Sequence, residues 1–284
     1  MVSSPYDAGM ETVAREAWRS ALEAWAIPQR LIDAAGVDPH RWHPEFWDRM
    51  RRAEAAWIGD SPTVAKVEEL SHGGSVLDVG AGTGRLAIPL AARGHRVTTV
   101  ERDPEMARSL SEEAERAGVV ITQIVGAWPI VAGNTGVHDV VLSTHVVYDV
   151  PGIGGFVAAM QDASRRGVVV EMTARHPWSP LYRYFRALHG LERPARPTVE
   201  DFASVVEEVV GVTPAQQRWS SPTGLRFTDM QELLTFYRRR LLVPPVRSME
   251  AAALLEPDVR RTDDGWLVLG PVEREVVTVW WRKR

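Results

Sequence analysis

The sequence predicts an α/β protein with a doubly wound sheet, and two observations carry that prediction. Between residues 75 and 173, short apolar runs alternate with helical segments of about 10–15 residues, which is the pattern of repeated strand–helix–strand units. The apolar runs are nearly continuous, as in parallel strands that helices cover on both faces. The chain of 284 residues can hold one large α/β domain with additions, or two modest domains.

The chain is expected to begin with helices over residues 5–58. In the first of them, apolar side chains recur at spacings of three and four residues, which places them on one helical face. Pro28 interrupts this helix, and a second helix begins at Pro44, because proline suits the first helical position. A further helix is expected over residues 61–71, with Ser61 as its N-cap.

Strands and helices then alternate along the chain. The expected strands are 75–80, 96–101, 119–125, 138–144 and 167–173. The expected connecting helices are 84–93, 103–117 and 151–166. Gly94 and Gly118 follow two of these helices, where glycine commonly ends a helix in the left-handed conformation.

The last part of the chain is less regular. Residues 174–197 form an irregular stretch that is rich in aromatic side chains. Helices are expected after Thr198, which is a good N-cap, and over residues 228–241. A short strand is expected at 215–219. The runs "GWLVLG" and "REVVTVWWR" predict a pair of strands at the C-terminus.

Composition excludes several classes of function. The chain has no cysteine, which rules out disulfides, thiolate metal sites and a cysteine nucleophile, and favours a cytoplasmic location. A net charge of −4 makes nucleic acid an improbable partner. No apolar run approaches the roughly 18 residues of a membrane span, so no membrane partner is expected. The histidines show no metal-ligand spacing, and no metal is predicted. The oligomeric state stays open.

Three glycines follow the first strand of the predicted sheet. Gly80, Gly82 and Gly84 form a G-x-G-x-G pattern, whereas a dinucleotide fingerprint would place its third glycine at Arg85. Asp78 stands two residues before the first glycine, at the carboxyl end of the strand. A carboxylate in that position would repel a pyrophosphate and attract an ammonium group. The loop therefore predicts a ligand other than a dinucleotide.

An acidic residue at the end of the second strand completes this pattern. Glu101 can accept hydrogen bonds from both hydroxyls of a ribose. The predicted ligand then carries a ribose and a positive amino group but no phosphate. That description fits S-adenosylmethionine.

The stretches "VLDVGAGTGRLAIPLA" and "VTTVERDPEM" resemble the cofactor-binding half of the class I S-adenosylmethionine-dependent methyltransferases. The resemblance covers residues 74–173. It implies a seven-stranded, mostly parallel sheet whose last strand is antiparallel and inserted between the fifth and sixth strands. Residues 274–282 would form that last strand.

The resemblance also divides the chain into parts. It implies an N-terminal helical cap over residues 1–60 and a class I methyltransferase domain over residues 61–284. Within the domain, the cofactor-binding half is followed by a substrate-side insertion at 174–197. C-terminal helices and strands occupy residues 198–284.

The family also suggests which residues hold the cofactor. The glycine loop would contact the amino-acid end, and the residues after the third strand would flank the adenine. The candidate cofactor-binding residues are Asp78, Gly80, Ala81, Gly82, Thr83, Gly84, Glu101, Arg102, Ala127, Trp128 and Thr144. Many members place an aspartate after the third strand, whereas this chain has "GAW". Trp128 could pack on the adenine or belong to the core.

Candidate catalytic residues lie in the loop after the fourth strand, which in this family faces the methyl group. His145 is a candidate general base because its ordinary pKa lies near neutrality. The alternative is a histidine that shapes the loop or contacts the cofactor. Tyr148 could orient an acceptor or line the pocket.

Candidate substrate-binding residues are Trp47, Glu171, His176 and Tyr182. Glu171 could equally be a buried acid paired with an arginine. The aromatic residues of the N-terminal helices, among them Trp42, and those of residues 174–197 could form a lid over an acceptor. They could also form the core of a small helical cap.

The leading hypothesis is a methyltransferase that acts on oxygen or nitrogen of a small molecule. One alternative is a catalytically silent protein that binds the cofactor and acts in regulation or assembly. A further alternative is an RNA or protein methyltransferase, although this chain has "STHVVYDV" where base-methylating members carry an "NPPY"-type motif.

Overall fold

The computed structural model describes residues 12–37, 44–223 and 225–283. Within these ranges, seven strands form one sheet and two short strands form a separate hairpin. The strands of the sheet are β1 (Ser75–Val79), β2 (Arg96–Glu101), β3 (Ile121–Val125), β4 (His138–Thr144), β5 (Ser164–Thr173), β6 (Ala215–Pro222) and β9 (Glu273–Arg282). The hairpin consists of β7 (Val259–Arg261) and β8 (Leu267–Leu269). Trp42 lies outside the described residues.

Eleven α-helices accompany the strands in the same described ranges. They are α1 (Val13–Glu23), α2 (Gln29–Ala35), α3 (Pro44–Glu54), α4 (Pro62–Ser71), α5 (Ala87–Ala92), α6 (Pro104–Arg116), α7 (Ile153–Ala163), α8 (Tyr182–His189), α9 (Val199–Val210), α10 (Met230–Arg240) and α11 (Ser248–Leu255). Predicted caps begin two of them: Ser61 accepts a hydrogen bond from the Val64 amide, and Thr198 forms a capping box with Asp201. None of these helices is long and apolar enough to cross a membrane.

The sheet has the strand order β3-β2-β1-β4-β5-β9-β6. Neighbouring strands from β3 to β5 are parallel, and β9 is antiparallel to both β5 and β6. The last strand therefore lies between the fifth and sixth strands. This arrangement confirms the predicted doubly wound, mostly parallel sheet with an antiparallel last strand.

The predicted C-terminal strand pair is wrong. The run over residues 265–270 does not pair with the last strand, because β8 pairs with β7 through a tight turn at residues 262–265. Gly265 closes that turn with a φ of +90°, which glycine adopts without strain. The middle of β9 is buried, and it is paired on both sides by β5 and β6.

Two other expectations about element boundaries are corrected. The helix expected over 151–166 ends at Ala163, because the chain enters β5 at Ser164 and the side chains of Arg165 and Arg166 lie near Asp139 at the sheet edge. The stretch over 174–197 is not wholly irregular, since it contains α8.

A longer insertion separates β6 from β9. Residues 223–272 carry α10, α11 and the hairpin of β7 and β8. Because β6 runs parallel to β5 and β9 runs antiparallel to it, this insertion leaves and rejoins the sheet at the carboxyl edge of the parallel strands. Ligands of doubly wound sheets bind at that edge.

Two apolar clusters cover the two faces of the sheet, and the larger of them is here called the main core. On one face, α7 and α9 pack with α1, whose Trp18 is buried and lies edge-on to Phe202 at 6.0 Å between ring centres. The Trp18 indole also donates a hydrogen bond to the Val150 carbonyl. On the other face lie Leu70 of α4, Leu90 of α5 and Leu86, the residue before α5.

A further apolar cluster, here called the cap core, lies apart from the main core. It joins α2, α8, α10 and α11 with the short hairpin, and its buried members include Phe185, Leu188, Phe227, Leu233, Tyr237, Leu241 and Leu255. The N-terminal helices thus divide their contacts, because α1 packs in the main core and α2 in the cap core. Helix α3 reaches the cap core through Phe46, which stacks on Phe236 at 5.3 Å.

Burial of Trp18 predicts that α1 stabilises the main core. We expect Trp18→Ala to lower the free energy of unfolding by about 3–5 kcal/mol, because removal of a large buried side chain leaves a cavity. Val13→Ala on the same helix serves as the control, since Val13 is 86% exposed. Urea unfolding checks this, and equal stability of the two variants would contradict it.

Candidate active site

The glycine loop between β1 and α5 uses its three glycines in different ways. A Cβ atom on Gly80 would lie 2.4 Å from a methyl group of Val146, and one on Gly84 would lie 2.9 Å from Ile88. These two glycines therefore allow close packing. A Cβ atom on Gly82 would meet no described atom within 4 Å, so the loop at Gly82 borders open space that a ligand can occupy.

Glu101 holds this loop from the end of β2. Its Oε2 accepts a hydrogen bond from the Gly82 amide at 2.8 Å, and its Oε1 accepts one from the Asp103 amide at 2.9 Å. A carboxylate has about four lone-pair positions, so two remain for a ligand. Glu101 can therefore both shape the loop and bind ribose hydroxyls.

Asp78 is a buried acid with unused capacity for hydrogen bonds. The residue is 1% exposed, and its Oδ1 has no hydrogen-bond partner among the described residues. Burial, together with the nearby charge of Glu101, raises the pKa of Asp78 to about 7. An unpaired buried carboxylate is costly, and an ammonium group of a ligand would relieve that cost. These residues fit the amino-acid end and the ribose of S-adenosylmethionine.

The remaining cofactor candidates lie around the same edge. Thr83 is buried in the loop, Thr144 ends β4, and Arg102 and Ala127 are exposed. Trp128 is half-buried, donates a hydrogen bond to the Phe156 carbonyl at 3.2 Å and packs against the main core. Its ring is thus anchored by protein contacts.

A buried ionic network lies beside the glycine loop. Glu171 on β5 is fully buried and accepts hydrogen bonds from Arg85 at 2.6 Å and from the Thr63 hydroxyl at 2.5 Å. The Arg85 guanidinium also donates to Glu54 at the end of α3, and Arg274 of β9 donates to Glu54 at 3.2 Å. Two acids and two arginines balance their charges, which reduces the cost of burial.

The electrostatic state of Glu171 follows from these contacts. Burial raises its pKa, but Arg85, His145 and Thr63 outweigh that effect and hold the pKa of Glu171 well below its usual range. Glu171 is therefore a carboxylate at neutral pH. The structure places it in an ion pair with Arg85, which is one of the two interpretations that its sequence position left open.

His145 and Tyr148 lie in contact after β4. The His145 Nδ1 is 3.3 Å from the Tyr148 hydroxyl, which is 2.8 Å from the Thr173 Oγ1. The His145 Nε2 is 3.1 Å from a Glu171 oxygen, without the direction of a hydrogen bond. Burial lowers the pKa of His145, so the ring is neutral at pH 7.

Aromatic rings extend from Tyr148 away from the sheet. His176 lies edge-on to Tyr148 at 5.5 Å and stacks on Trp25 at 3.8 Å. Trp25 also contacts Tyr182 at 5.0 Å between ring centres. The Tyr182 hydroxyl is buried without a hydrogen-bond partner in the described chain. These four rings form a wall next to the loop after β4.

Trp47 takes a different place. It lies on α3, where its ring meets Phe46 edge-on at 5.1 Å. Helix α3 connects three regions, since Phe46 contacts α10, Arg51 pairs with Glu113 on α6 and Glu54 joins the ionic network. The structure thus brings His176 and Tyr182 together. Trp47 instead lies on α3, which contacts the cap core through Phe46 and Arg85 of the glycine loop through Glu54.

Sequence reasoning missed several residues of this region. Arg85, Glu54, Arg274, Thr63 and Trp25 were not among the candidates. Arg85 carried a signal, because it stands where a dinucleotide fingerprint would have a glycine and so must serve another purpose. The partners of Arg85 come from distant parts of the chain, and no local pattern marks them.

Part of this chain is similar in sequence to known methyltransferases. Residues 76–167 match a family described as methyltransferase domain. A ubiquinone biosynthesis O-methyltransferase of Paramagnetospirillum magneticum is 33% identical over 150 residues, which are 53% of this chain and 56% of that protein. The chain spans little more than half the length of the curated relatives that it matches.

Two crystal structures share the fold. A putative methyltransferase from Bacillus halodurans has a TM-score of 0.51 at 14% identity, covering 77% of this chain and 97% of that one. The magnesium protoporphyrin IX methyltransferase of Synechocystis with bound SAH has a TM-score of 0.50 at 15% identity, covering 93% and 97%.

The raised pKa of Asp78 predicts pH-dependent ligand binding. The carboxylate form, which pairs with an ammonium group, becomes the major form as pH rises through about 7. We therefore expect the affinity for S-adenosylhomocysteine to rise roughly tenfold between about pH 6 and pH 8, because the competent fraction rises by that factor. Isothermal titration calorimetry at several pH values measures this.

The control variants for this experiment are Asp78→Asn and Asp162→Asn. Asp78→Asn should bind weakly with no pH slope, because the amide does not titrate in this range. Asp162 is exposed on α7, away from the loop, and its variant should keep the wild-type slope. A slope that persists in Asp78→Asn would show that another group controls binding.

Proposed function

We propose that this protein is an S-adenosylmethionine-dependent methyltransferase that acts on an oxygen or nitrogen atom of a small molecule, a proposal that the match of residues 76–167 to a methyltransferase domain supports. The observation that carries the proposal is the buried, unpaired Asp78 oxygen beside the open space at Gly82. Glu101 adds free acceptor positions at the same place. The ubiquinone-biosynthesis relative supports an oxygen acceptor.

The bound cofactor would supply an electrophilic methyl group for transfer to a lone pair of the acceptor and would leave as S-adenosylhomocysteine. The protein has to position the acceptor and exclude water. Asp78 and Glu101 would orient the amino-acid end and the ribose. Helix α3 and the cap core would shield the carboxyl edge of the sheet.

The acceptor would lie against the aromatic wall of Tyr148, His176, Trp25 and Tyr182. Such a wall suits a flat, apolar or aromatic molecule, because rings bury large areas and stack in offset or edge-on geometry. Burial lowers the pKa of His176 to about 3, so this ring is neutral and adds no charge to the wall. The buried Tyr182 hydroxyl could donate to one polar group of the acceptor.

A direct assay tests the proposed function. We expect the protein to convert S-adenosylmethionine to S-adenosylhomocysteine with phenols, catechols or hydroxylated quinones, and mass spectrometry should find the acceptor heavier by one methyl group. Binding of the cofactor without turnover on any acceptor would favour the silent-protein alternative. Methyl transfer to RNA or protein, and to no small molecule, would favour the alternative of an RNA or protein methyltransferase.

The Tyr182 hydroxyl offers a sharper test of the acceptor site. We expect Tyr182→Phe to leave the melting temperature unchanged or raised, because it removes an unsatisfied buried group. The acceptor KM should rise about three- to tenfold, as for one lost hydrogen bond. Steady-state kinetics and thermal unfolding measure both effects.

Tyr184→Phe on the same helix is the matched control. The Tyr184 hydroxyl donates to Asp258 at 2.7 Å, so this variant should lose stability without a change in acceptor KM. A KM that responds equally to both substitutions would place the acceptor elsewhere.

A further inference from the structure

We propose that the acceptor carries a carboxylate, which Arg193 binds at the end of the aromatic wall remote from the sheet. This inference rests on the proposed function and deepens it, because it names the chemical class of the acceptor as a flat, aromatic acid. Arg193 would then be a specificity-determining residue of the acceptor site.

The segment that follows β5 carries an excess of positive charge. Residues 174–197 contain five arginines and one glutamate, in a chain whose net charge is −4. Three of these arginines have carboxylate partners, namely Arg183 with Asp258, Arg186 with Glu192 and Arg196 with Asp201. Arg175 and Arg193 form no ion pair with a described carboxylate. The uncompensated positive charge of the segment therefore lies at these two positions.

Both unpaired arginines act on rings of the aromatic wall. Burial raises the pKa of Tyr182, and the positive charges of Arg193 and Arg175 oppose that effect. Burial and then the charge of Arg193 lower the pKa of His176. No carboxylate of the described residues acts on either ring. An anion at the wall would therefore be attracted by two cations and repelled by no described acid nearby.

Arg193 carries a charge that the described chain leaves without a counter-ion. The residue is half-buried, and burial lowers its pKa with no described carboxylate to oppose that effect. The guanidinium nevertheless stays protonated, because the ordinary pKa of arginine is far above neutrality. A partly buried cation without a partner is costly, and a bound carboxylate would supply the missing counter-ion.

Aromatic and backbone contacts hold the Arg193 guanidinium in place. Its central carbon lies 4.6 Å from the centre of the Trp25 ring and 5.1 Å from that of Phe185. Its Nη2 donates to the Trp25 carbonyl at 2.6 Å, and the Trp25 indole donates to the Arg196 carbonyl at 2.7 Å. The Nε and Nη1 of Arg193 have no hydrogen-bond partner among the described residues and are not enclosed by them. These N–H groups are therefore available to a ligand.

The contacts within the aromatic wall place Arg193 at one end and Tyr148 at the other. Arg193 lies against Trp25, which stacks on His176 at 3.8 Å. His176 in turn lies edge-on to Tyr148, in the loop after β4, at 5.5 Å. Because two rings separate the ends, this order suits an acceptor whose carboxylate and nucleophile lie on opposite sides of an aromatic ring.

Binding of a simple anion can be measured without any reaction. Benzoate and benzamide have nearly the same shape, but only benzoate is charged. The protein, labelled with ¹⁵N-arginine, would be titrated with each compound in mildly acidic solution, with and without S-adenosylhomocysteine. We expect benzoate to shift the Nε–H signal of Arg193 in a saturable way and benzamide to leave it unchanged. Arg193→Lys assigns the signal by removing it.

A matched pair of catechols tests the specificity during turnover. Caffeate ends in a carboxylate, and caffeamide is its neutral amide. We expect the wild-type kcat/KM to favour the acid by about tenfold or more, as for one hydrogen bond to a charged group. Arg193→Gln should remove this preference, and Arg193→Lys should keep part of it, because lysine keeps the charge without the planar fork.

The ratio of the two kcat/KM values separates recognition from structure. Lost packing against Trp25 and Phe185 would change the acid and the amide alike, whereas a lost charge changes only the acid. Arg186→Gln is the matched control in the same segment. Arg186 pairs with Glu192, so this variant should keep the full wild-type preference.

The outcomes separate this proposal from the proposed function. No shift of the Arg193 signal with benzoate, or an equal shift with benzamide, would overturn the anion site. A wild type that turns over both catechols without preferring the acid, or a preference that survives Arg193→Gln, would overturn it as well. Failure of the wild type to methylate any acceptor would overturn the proposed function, and the benzoate titration would still decide whether Arg193 binds an anion.

Discussion

The ion pair between Arg85 and Glu171 is the interaction on which the site depends. Glu171 is fully buried, and a buried carboxylate is stable only with charge-assisted partners. Arg85 supplies that partner and extends the link to Glu54, so that one guanidinium joins β5, the glycine loop and α3. Loss of Arg85 would leave the Glu171 carboxylate without its paired arginine, and breaking a buried ion pair in this way typically costs about 3–5 kcal/mol. The glycine loop is thus tied to the sheet by more than its own backbone.

This arrangement connects stability with the chemistry of the site. Glu101 holds the loop through the Gly82 amide, and Asp78, whose pKa responds to the charges of Glu101 and Arg85, is buried with an unused oxygen. The same Glu171 that pairs with Arg85 also lies against His145. The charge balance of the network therefore acts on both Asp78 and His145. Helix α3 joins the same network through Glu54, which pairs with Arg85 and Arg274.

Local features of the chain predicted much of this structure. The strands, the caps at Ser61 and Thr198 and the glycine loop could be recognised because nearby residues determine them. The antiparallel last strand came only from the family resemblance. The hairpin of β7 and β8 was assigned the wrong partner, because two short apolar runs do not show which strands they join. The insertion over 223–272 and the partners of Arg85 depend on contacts between distant segments, which no local pattern reveals.

The most direct test of this account is a double-mutant cycle between Arg85 and Glu171. Arg85→Met, Glu171→Gln and the double variant would be compared with the wild type by urea unfolding. A direct buried ion pair predicts an interaction free energy of about 1–3 kcal/mol, because the second substitution removes a charge already left unpaired. Substitutions that add within about 0.5 kcal/mol would show that the two side chains act independently, and they would contradict the central role given to this pair.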